Sequence, residues 1–300
     1  MTLGATIQLC TYNRAHLLGR VLDACFEQTA PFDGYEVVLV NDGSRDDTPS
    51  VIDAARSRAT CAFTVIDQEN AGLARARNAG IARSRGRRII FIDDDVLPVP
   101  AFVAEHLRSH RSAPGAIVRG GVINTASFDD LPAPMWTPAN YSGNFFWTTN
   151  VSVPRARLDA VGGFTQTFRE YGWEDIELGL RLRFAGTRGV FNPRALAYHY
   201  KPPPRVRDVG GMVRQAAAQA RTARELYRLH PHWRVVLATG DHPWNRALHR
   251  ALARMVRLPR LDDGDEGRVL SPRERRVARA LASSAYYAEL DAAHAPDREP

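Results

Sequence analysis

Short apolar runs alternate with amphipathic stretches over roughly the first 112 residues. Residues 5–11, 35–40, 61–66 and 88–92 are short apolar runs that read as strands, the Ile-Ile-Phe-Ile run of 88–92 as one buried on both faces. Between them, residues 14–28 set Leu17, Leu18, Val21, Leu22 and Cys25 on one helical face, and further helices are expected over 49–58 and 73–84. Thr48 and Pro49 read as an N-cap and a first helical position, since the N–H that proline lacks would have no partner there. Strand and helix alternating at this length imply parallel pairing through right-handed crossovers, an α/β fold.

The periodicity fades over residues 120–152, where proline, glycine and the aromatics Phe128, Trp136, Tyr141, Phe145, Phe146 and Trp147 gather. A lining loop is expected, its rings suited either to packing or to the apolar faces of sugars. Residues 173–184 read as a helix, acidic in its first turn and basic in its last as the helix dipole favours, and 189–191 and 195–198 as closing strands. The proline run over 201–205 can continue neither a helix nor a central strand, so a boundary is expected there. An α/β domain over 1–204 is then followed by a basic helical extension over 205–300, with helices at 212–229, 243–258 and 272–290 and an Asp-rich linker at 261–267.

With 300 residues and 44% hydrophobic composition the chain can bury a substantial core, which excludes disordered and fibrous classes. Cys10, Cys25 and Cys61 are odd in number and far apart, so they suggest neither a disulfide framework nor a metal knuckle but thiols in a reducing compartment. No basic-then-apolar leader opens the sequence, and no apolar run nears the roughly 20 residues that span a bilayer. A cytoplasmic protein without a transmembrane segment is expected.

Charge changes that picture in one region. Residues 1–200 hold 21 basic and 21 acidic side chains, whereas 201–300 hold 19 and 12, so the whole +7 excess lies in the last third. On the helix from Pro243, Trp244, Leu248, Leu252, Met255 and Val256 form an apolar stripe, with Arg246, Arg250, Arg254 and Arg257 on another face. The commoner arrangement for such a stripe is packing on the α/β domain with the arginines solvated; the alternatives are peripheral contact of residues 243–258 with the inner membrane face, or a protein partner. No recognition motif accompanies the charge, so nucleic acid is not an expected partner.

Chemistry concentrates where strands end. Asp93, Asp94 and Asp95 follow the apolar 88–92 run and would emerge at the carboxyl end of a buried strand, where open α/β sheets bind ligands. Like charges so close repel, while hard oxygen ligands suit Mg²⁺ or Mn²⁺, and such an ion suits a diphosphate. A solvated acidic turn is the plain alternative. Asp42, beside Gly43 after the second strand, suits a base or ribose contact or an Asx turn. Asn70 and Gly72 open a helix whose N–H groups could face a phosphate with Arg77 adding charge, or else form an ordinary cap. His199, between Tyr198 and Tyr200, reads on its own as a packed or hydrogen-bonded side chain. Glu174 and Asp175 open a helix, where they either complement its dipole or serve as acids and bases.

Four segments taken together resemble the inverting glycosyltransferases of family 2: Cys10-Thr-Tyr-Asn-Arg14, Val40-Asn-Asp-Gly-Ser-Arg-Asp-Asp-Thr48, Asn70-Ala-Gly-Leu-Ala-Arg-Ala-Arg-Asn-Ala-Gly80 and Phe91-Ile-Asp-Asp-Asp-Val96. The resemblance implies a GT-A type three-layer α/β/α domain and a metal-dependent inverting transferase that moves a sugar from a nucleoside-diphosphate sugar to an acceptor nucleophile, a hydroxyl of a saccharide, lipid-linked or natural-product acceptor. Uridine as the base rests on the family's habit. It further implies Asp175 as base with Glu174 beside it, and Asp95, Asp93 and His199 around a divalent ion. For the donor it implies Thr11, Asn13, Arg14, Asp42, Asn70, Gly72, Arg77, Asp93, Asp94, Asn150 and Trp173. A retaining transferase of the same fold and a non-catalytic nucleotide-sugar or carbohydrate-binding protein remain the rivals. A nucleotidyltransferase would need a glycine-rich loop ending in arginine, which is absent after the first strand.

Overall fold

The computed structural model describes residues 3–29, 34–168, 170–255 and 265–292. The chain divides into two compact units, the first made of Met1–Gln166 and Glu174–Pro202, the second of Thr167–Trp173 and Pro203–Pro300.

The first unit carries strands β1 (Ala5–Thr11), β2 (Tyr35–Asn41), β3 (Ala62–Asp67), β4 (Arg88–Phe91), β5 (Val96–Pro98), β6 (Ile117–Thr125), β7 (Val151–Pro154) and β8 (Gly189–Tyr200). Its helices are α1 (Ala15–Phe26), α2 (Thr48–Arg56), α3 (Leu73–Arg83), α4 (Phe102–Ser112), α5 (Arg155–Val161) and α6 (Glu174–Phe184). All eight strands form one sheet in the order β3-β2-β1-β4-β7-β6-β8-β5. The expected parallel pairing holds from β3 through β4, and β7 then enters antiparallel to β4.

Period-two alternation sends the strand residues into two cores. Ile7, Leu9, Val37, Leu39, Ile90 and Ile92 join Leu17, Leu18, Val21, Leu22 and Cys25 of α1 on one face. Ile89 and Phe91 face the other way, toward Phe146, Phe164, Leu178 and Leu182. The Phe91 ring meets Phe146 and Phe164 edge-on at 5.8 and 5.6 Å, contacts that add about 0.5–1.5 kcal/mol per pair to what burial supplies. Helices on both faces of a mixed sheet are the layering that the early strands forecast.

Several expectations need adjustment. α2 begins at Thr48, one residue before the expected start, because Asp46 Oδ1 accepts the Thr48 N–H and the Thr48 hydroxyl is spent on the Arg14 N–H. Asp46 Oδ2 also accepts from Ala15 at the start of α1, so one carboxylate ties two helix starts together. The region 120–152 is not wholly irregular, since its ends are strands β6 and β7. The two closing strands are one strand, β8, whose register on β6 jumps from Gly120↔Asn192 to Gly121↔Leu196. Proline at 193 cannot donate to the ladder and bulges out with Arg194 and Ala195, and only glycine at 120 leaves room for the Ala195 carbonyl.

The second unit is helical: α7 (Asp208–Leu229), α8 (Trp233–Thr239), α9 (Pro243–Met255) and α10 (Pro272–Ala292). α7 runs along α10, burying Val206, Val209, Leu270 and Ala278 at one end and Ala220, Ala223 and Leu290 at the other. The segment 167–173 groups here rather than with the residues on either side of it. Glu170 pairs with Arg221, the Thr222 hydroxyl donates to the Tyr171 carbonyl, and Trp173 Nε1 donates to the Gln219 carbonyl at 2.8 Å. The boundary expected at 204 thus falls at 202, with one earlier segment crossing it. Most of the expected 261–267 linker, and the tail of the 243–258 helix, lie outside the described residues. No helix among the described residues is long and apolar enough to cross a membrane.

Candidate active site

The sheet order reverses at β1, where one crossover leads outward to β2 and another returns to β4. Such a switch point opens a crevice at the strands' carboxyl ends. Two loops meet there: Thr11 to Arg14 after β1, and Asp93 to Asp95 after β4. Arg14 stands across the crevice from the acidic tip, its Nε 3.9 Å from Asp94 and its Nη2 3.7 Å from Asp95. Burial pushes the Asp94 carboxyl up to about 7, against the pull of Arg14.

Asp95 and His199 are brought together by strand pairing. Val96 pairs with His199, and the Tyr200 N–H donates to the Asp95 carbonyl at 2.8 Å, so the β5–β8 ladder fixes the two residues side by side. His199 Nε2 lies 3.7 Å from Asp95 Oδ1. On its other side, His199 Nδ1 is 3.0 Å from Asn124 Oδ1, an acceptor, which places the imidazole proton on Nδ1 and leaves a lone pair on Nε2 facing Asp95. Burial also lowers the His199 pKa, keeping the ring neutral. A carboxylate and a neutral imidazole held through its far nitrogen fit a divalent cation.

The expected trio of Asp93, Asp95 and His199 does not assemble, and among the described residues no three His, Cys, Asp or Glu side chains group to hold a metal. Asp93 is already engaged: its Oδ1 accepts from Arg77 Nη2 at 3.1 Å and its Oδ2 from the Thr149 hydroxyl at 2.8 Å. A pair of protein ligands is nevertheless sufficient for Mg²⁺-like ions, which ordinarily complete their shell with water and substrate phosphates.

Arg77 is the hub of the site, and its role differs from the phosphate contact expected of it. The side chain is buried, with Nη1 donating to Glu174 Oε1 at 2.7 Å while Nη2 donates to Asp93 and, at 2.6 Å, to the Thr148 hydroxyl. One guanidinium from α3 therefore ties the tip of β4 to the start of α6. Asp175, the next residue, has Oδ1 accepting the Ile176 N–H at 2.7 Å. Burial, followed by the charge of Glu174, pushes its carboxyl up to about 7, with Arg77 opposing. A carboxyl titrating there is suited to taking a proton near neutral pH.

The remaining candidates are placed as follows. Asp42 is buried, and its carboxylate accepts from Gln68 Nε2 at 2.7 Å and from the N–H groups of Ala71 and Gly72 at 3.0 and 3.1 Å. It braces the loop into α3, so the Gly72 N–H offered above to a phosphate is occupied, while the Asn70 amide donates to the Asp42 carbonyl. Asn13 takes positive φ, 53°, and spans two loops through Ser44 and Arg45. Asn150 lies inside the sheet: its Nδ2 donates to the Gly121 and Ala195 carbonyls at 3.0 and 2.9 Å, and its Oδ1 meets His106 Nε2. With both donors spent, Asn150 locks strands together rather than facing a donor sugar. Trp173 sits in the second unit with its indole N–H engaged by Gln219.

Three residues outside the expected set belong to the site: Asn124, which orients His199, and Thr148 and Thr149, which hold Arg77 and Asp93. Thr148 and Thr149 adjoin Asn150, which the sequence singles out. Asn124 carries no local signal, because it reaches His199 only through pairing of strands 75 residues apart.

The sequence matches the family described as glycosyl transferase family 2 over residues 6–171. Validoxylamine A glucosyltransferase of Streptomyces hygroscopicus subsp. jinggangensis is 30% identical over 60% of this chain and 51% of its own length. The chain thus spans about half the length of that relative. Among solved structures, a mannosyltransferase from Pyrobaculum calidifontis in complex with GDP-Man and Mn²⁺ superposes with a TM-score of 0.61 over 98% of this chain and 88% of its own, at 19% identity. TarS 1–349 of S. aureus in complex with UDP-GlcNAc gives 0.55 over 97% and 92%, at 15% identity. Both share the GT-A glycosyltransferase fold.

Proposed function

The chain belongs to glycosyl transferase family 2, and from that premise we propose that this glycosyltransferase is an inverting, divalent-metal-dependent enzyme moving a sugar from a UDP-sugar to a hydroxyl of a saccharide or other polyol. The observation that supports the reading is the Arg77 bridge between Asp93 and Glu174, because it ties the acidic tip that would receive a diphosphate to the helix start carrying Asp175. Inversion needs a base and a leaving group on opposite faces of the anomeric carbon.

Asp175 Oδ1 is occupied by the Ile176 N–H, so Oδ2 takes the acceptor proton as the acceptor oxygen bonds to the anomeric carbon. The bond from that carbon to the diphosphate oxygen breaks on the opposite face, and its electron pair leaves with the nucleotide. Asp95 and His199 would hold a divalent cation, which offsets the charge growing on the departing diphosphate. Arg14, facing Asp94 and Asp95, adds a cation on the same side.

The donor base and sugar are supported by likeness alone: the TarS structure contains UDP-GlcNAc, and the Streptomyces relative is named for glucosyl transfer. A saccharide-like acceptor draws support from Trp136 and Tyr141, part-exposed rings set against Phe191 at 6.0 and 5.0 Å. They lie on the segment joining β6, which ends beside His199, to Thr149, which holds Asp93. Three free thiols support a cytoplasmic setting.

A thermal-shift panel of UDP, GDP and their sugars with and without Mn²⁺ tests donor and metal together, because a ligand bound only by the native state raises the melting temperature. Stabilisation by UDP-sugars that requires Mn²⁺ is the expected result. NMR of the product then reads the anomeric configuration, and retention would overturn the inverting assignment.

A further inference from the structure

The second unit holds two consecutive helices that each turn an apolar face outward. α8 buries Val235 and Thr239, yet Trp233 and Leu237 are 58% and 65% exposed. After a turn at Gly240 to His242, α9 leaves Trp244 and Leu248 79% and 56% exposed. Residues four apart share a helical face, so each helix presents a Trp–Leu pair to solvent, the reverse of the pattern expected of a surface helix.

These faces are not an unpacked end of the chain, for the inner side of the hairpin is held. The Tyr286 hydroxyl donates to the Thr239 carbonyl at 2.8 Å, and the Tyr287 ring stacks on His249 with centroids 4.0 Å apart. The expectation that the Trp244–Leu248 stripe is buried by packing is therefore corrected, while Leu252, Met255, Val256, Arg250, Arg254 and Arg257 lie outside the described side chains.

Charge selects the occupant. Residues 230–255 contain Arg234, Arg246, Arg250 and Arg254 and four histidines, against Asp241 as the single acid, and Asp241 is itself paired with Arg246 at 3.2 Å. A second copy would bring the same net positive charge and be repelled. Anionic lipid headgroups attract it, and tryptophan favours the depth where headgroups meet acyl chains. The Arg234 guanidinium lies 4.6 Å over the Trp233 ring, so cation and aromatic are presented as one unit. We propose that the α8–α9 hairpin docks the protein on the surface of an anionic phospholipid bilayer, with Trp233, Leu237, Trp244 and Leu248 inserted and Arg234 against the headgroups.

The test is co-sedimentation of the full chain with vesicles of phosphatidylcholine alone and of equal parts phosphatidylglycerol and phosphatidylcholine, at low and high salt. Binding to the anionic vesicles only, weakened by salt and accompanied by a blue shift of tryptophan emission, is expected. The Trp244→Ser/Leu248→Ser variant should lose about tenfold or more in partitioning. Its melting temperature and donor hydrolysis should match those of the parent, because all four side chains face solvent. Trp233→Ser/Leu237→Ser gives an independent reading on the other helix. The proposal is overturned by absence of binding to anionic vesicles, by binding that both variants retain in full, or by light scattering that shows a dimer which the substitutions dissociate.

Discussion

The two sides of the acidic tip at residues 93–95 are built to opposite rules. On the α6 side, Asp93 and Glu174 accept short bonds from a buried arginine, and two threonine hydroxyls complete the set. On the β5 side, Asp95 has Arg14 and His199 no closer than 3.7 Å, beyond hydrogen-bond length. Buried charge is tolerated where it is paired and hydrogen-bonded, so the first side is a finished structural element. The second has attraction without closure, which is the condition in which a cation and a diphosphate gain most by entering. Asp175 adjoins the finished side and keeps a free oxygen.

If that division is right, the largest single loss comes from the proton acceptor. Asp175→Asn should lower kcat by about 10²- to 10⁴-fold, the usual contribution of a positioned base, with nucleotide-dependent thermal stabilisation unchanged. The pH profile carries the sign. With its pKa pushed up to about 7, the carboxyl is protonated and inactive below that pH, so kcat should rise as pH climbs through about 7 and then level off. The variant should lose that rise.

Breaking the finished side should register as stability. Arg77→Met leaves Asp93 and Glu174 in a largely buried position without their common cation, and removal of one partner from such a network costs about 3–5 kcal/mol. A drop of about 10 °C in melting temperature is expected. A variant as stable as the parent would erase the distinction between the two sides. On the open side, Asp95→Ala should leave the melting temperature nearly unchanged without ligand, abolish the Mn²⁺-dependent part of nucleotide stabilisation and lower kcat by about 10²- to 10³-fold, in line with loss of one electrostatic contact to the leaving group.

A subtler version of the same comparison lies behind His199. Asn124→Ala removes the acceptor that fixes the imidazole tautomer, and loss of such an outer partner typically weakens metal affinity about 10- to 100-fold. Titration of activity with Mn²⁺ should show that shift, with full recovery of kcat at saturating metal. Unchanged half-saturation would mean that Nε2 is not a ligand.

The first four strands and the three helices between them are legible in the sequence because each is a local matter, an apolar run or a 3.6-residue stripe bounded by turn residues. So are the tip aspartates and Glu174-Asp175, which sit at ends of strongly patterned elements. β5, α4 and α8 are too short or too polar on average to announce themselves, and β8 reads as two strands because Pro193 interrupts it. What no local pattern carries is the partnering. Arg77 reads as a solvated or phosphate-facing cation until residues 93, 148 and 174 converge on it, and Asn150 reads as a site residue until its amide is found inside the sheet. Side-chain roles set by long-range contacts become visible only when the chain is folded.

The smallest expected effect concerns the loop whose two ends lie on the open and finished sides, from Thr125 near His199 to Thr149 on Asp93. If Trp136 and Tyr141 form an acceptor platform on Phe191, truncating Trp136 removes one stacking surface of about 0.5–1.5 kcal/mol. Trp136→Ala should then raise the acceptor KM by about 3- to 10-fold, while donor KM, donor hydrolysis and kcat at saturating acceptor stay near the parent's. A purely structural ring would instead lower stability and disturb donor and acceptor constants alike, because the loop's end residue Thr149 holds Asp93. The split between the two KM values therefore tells an acceptor surface from a strut.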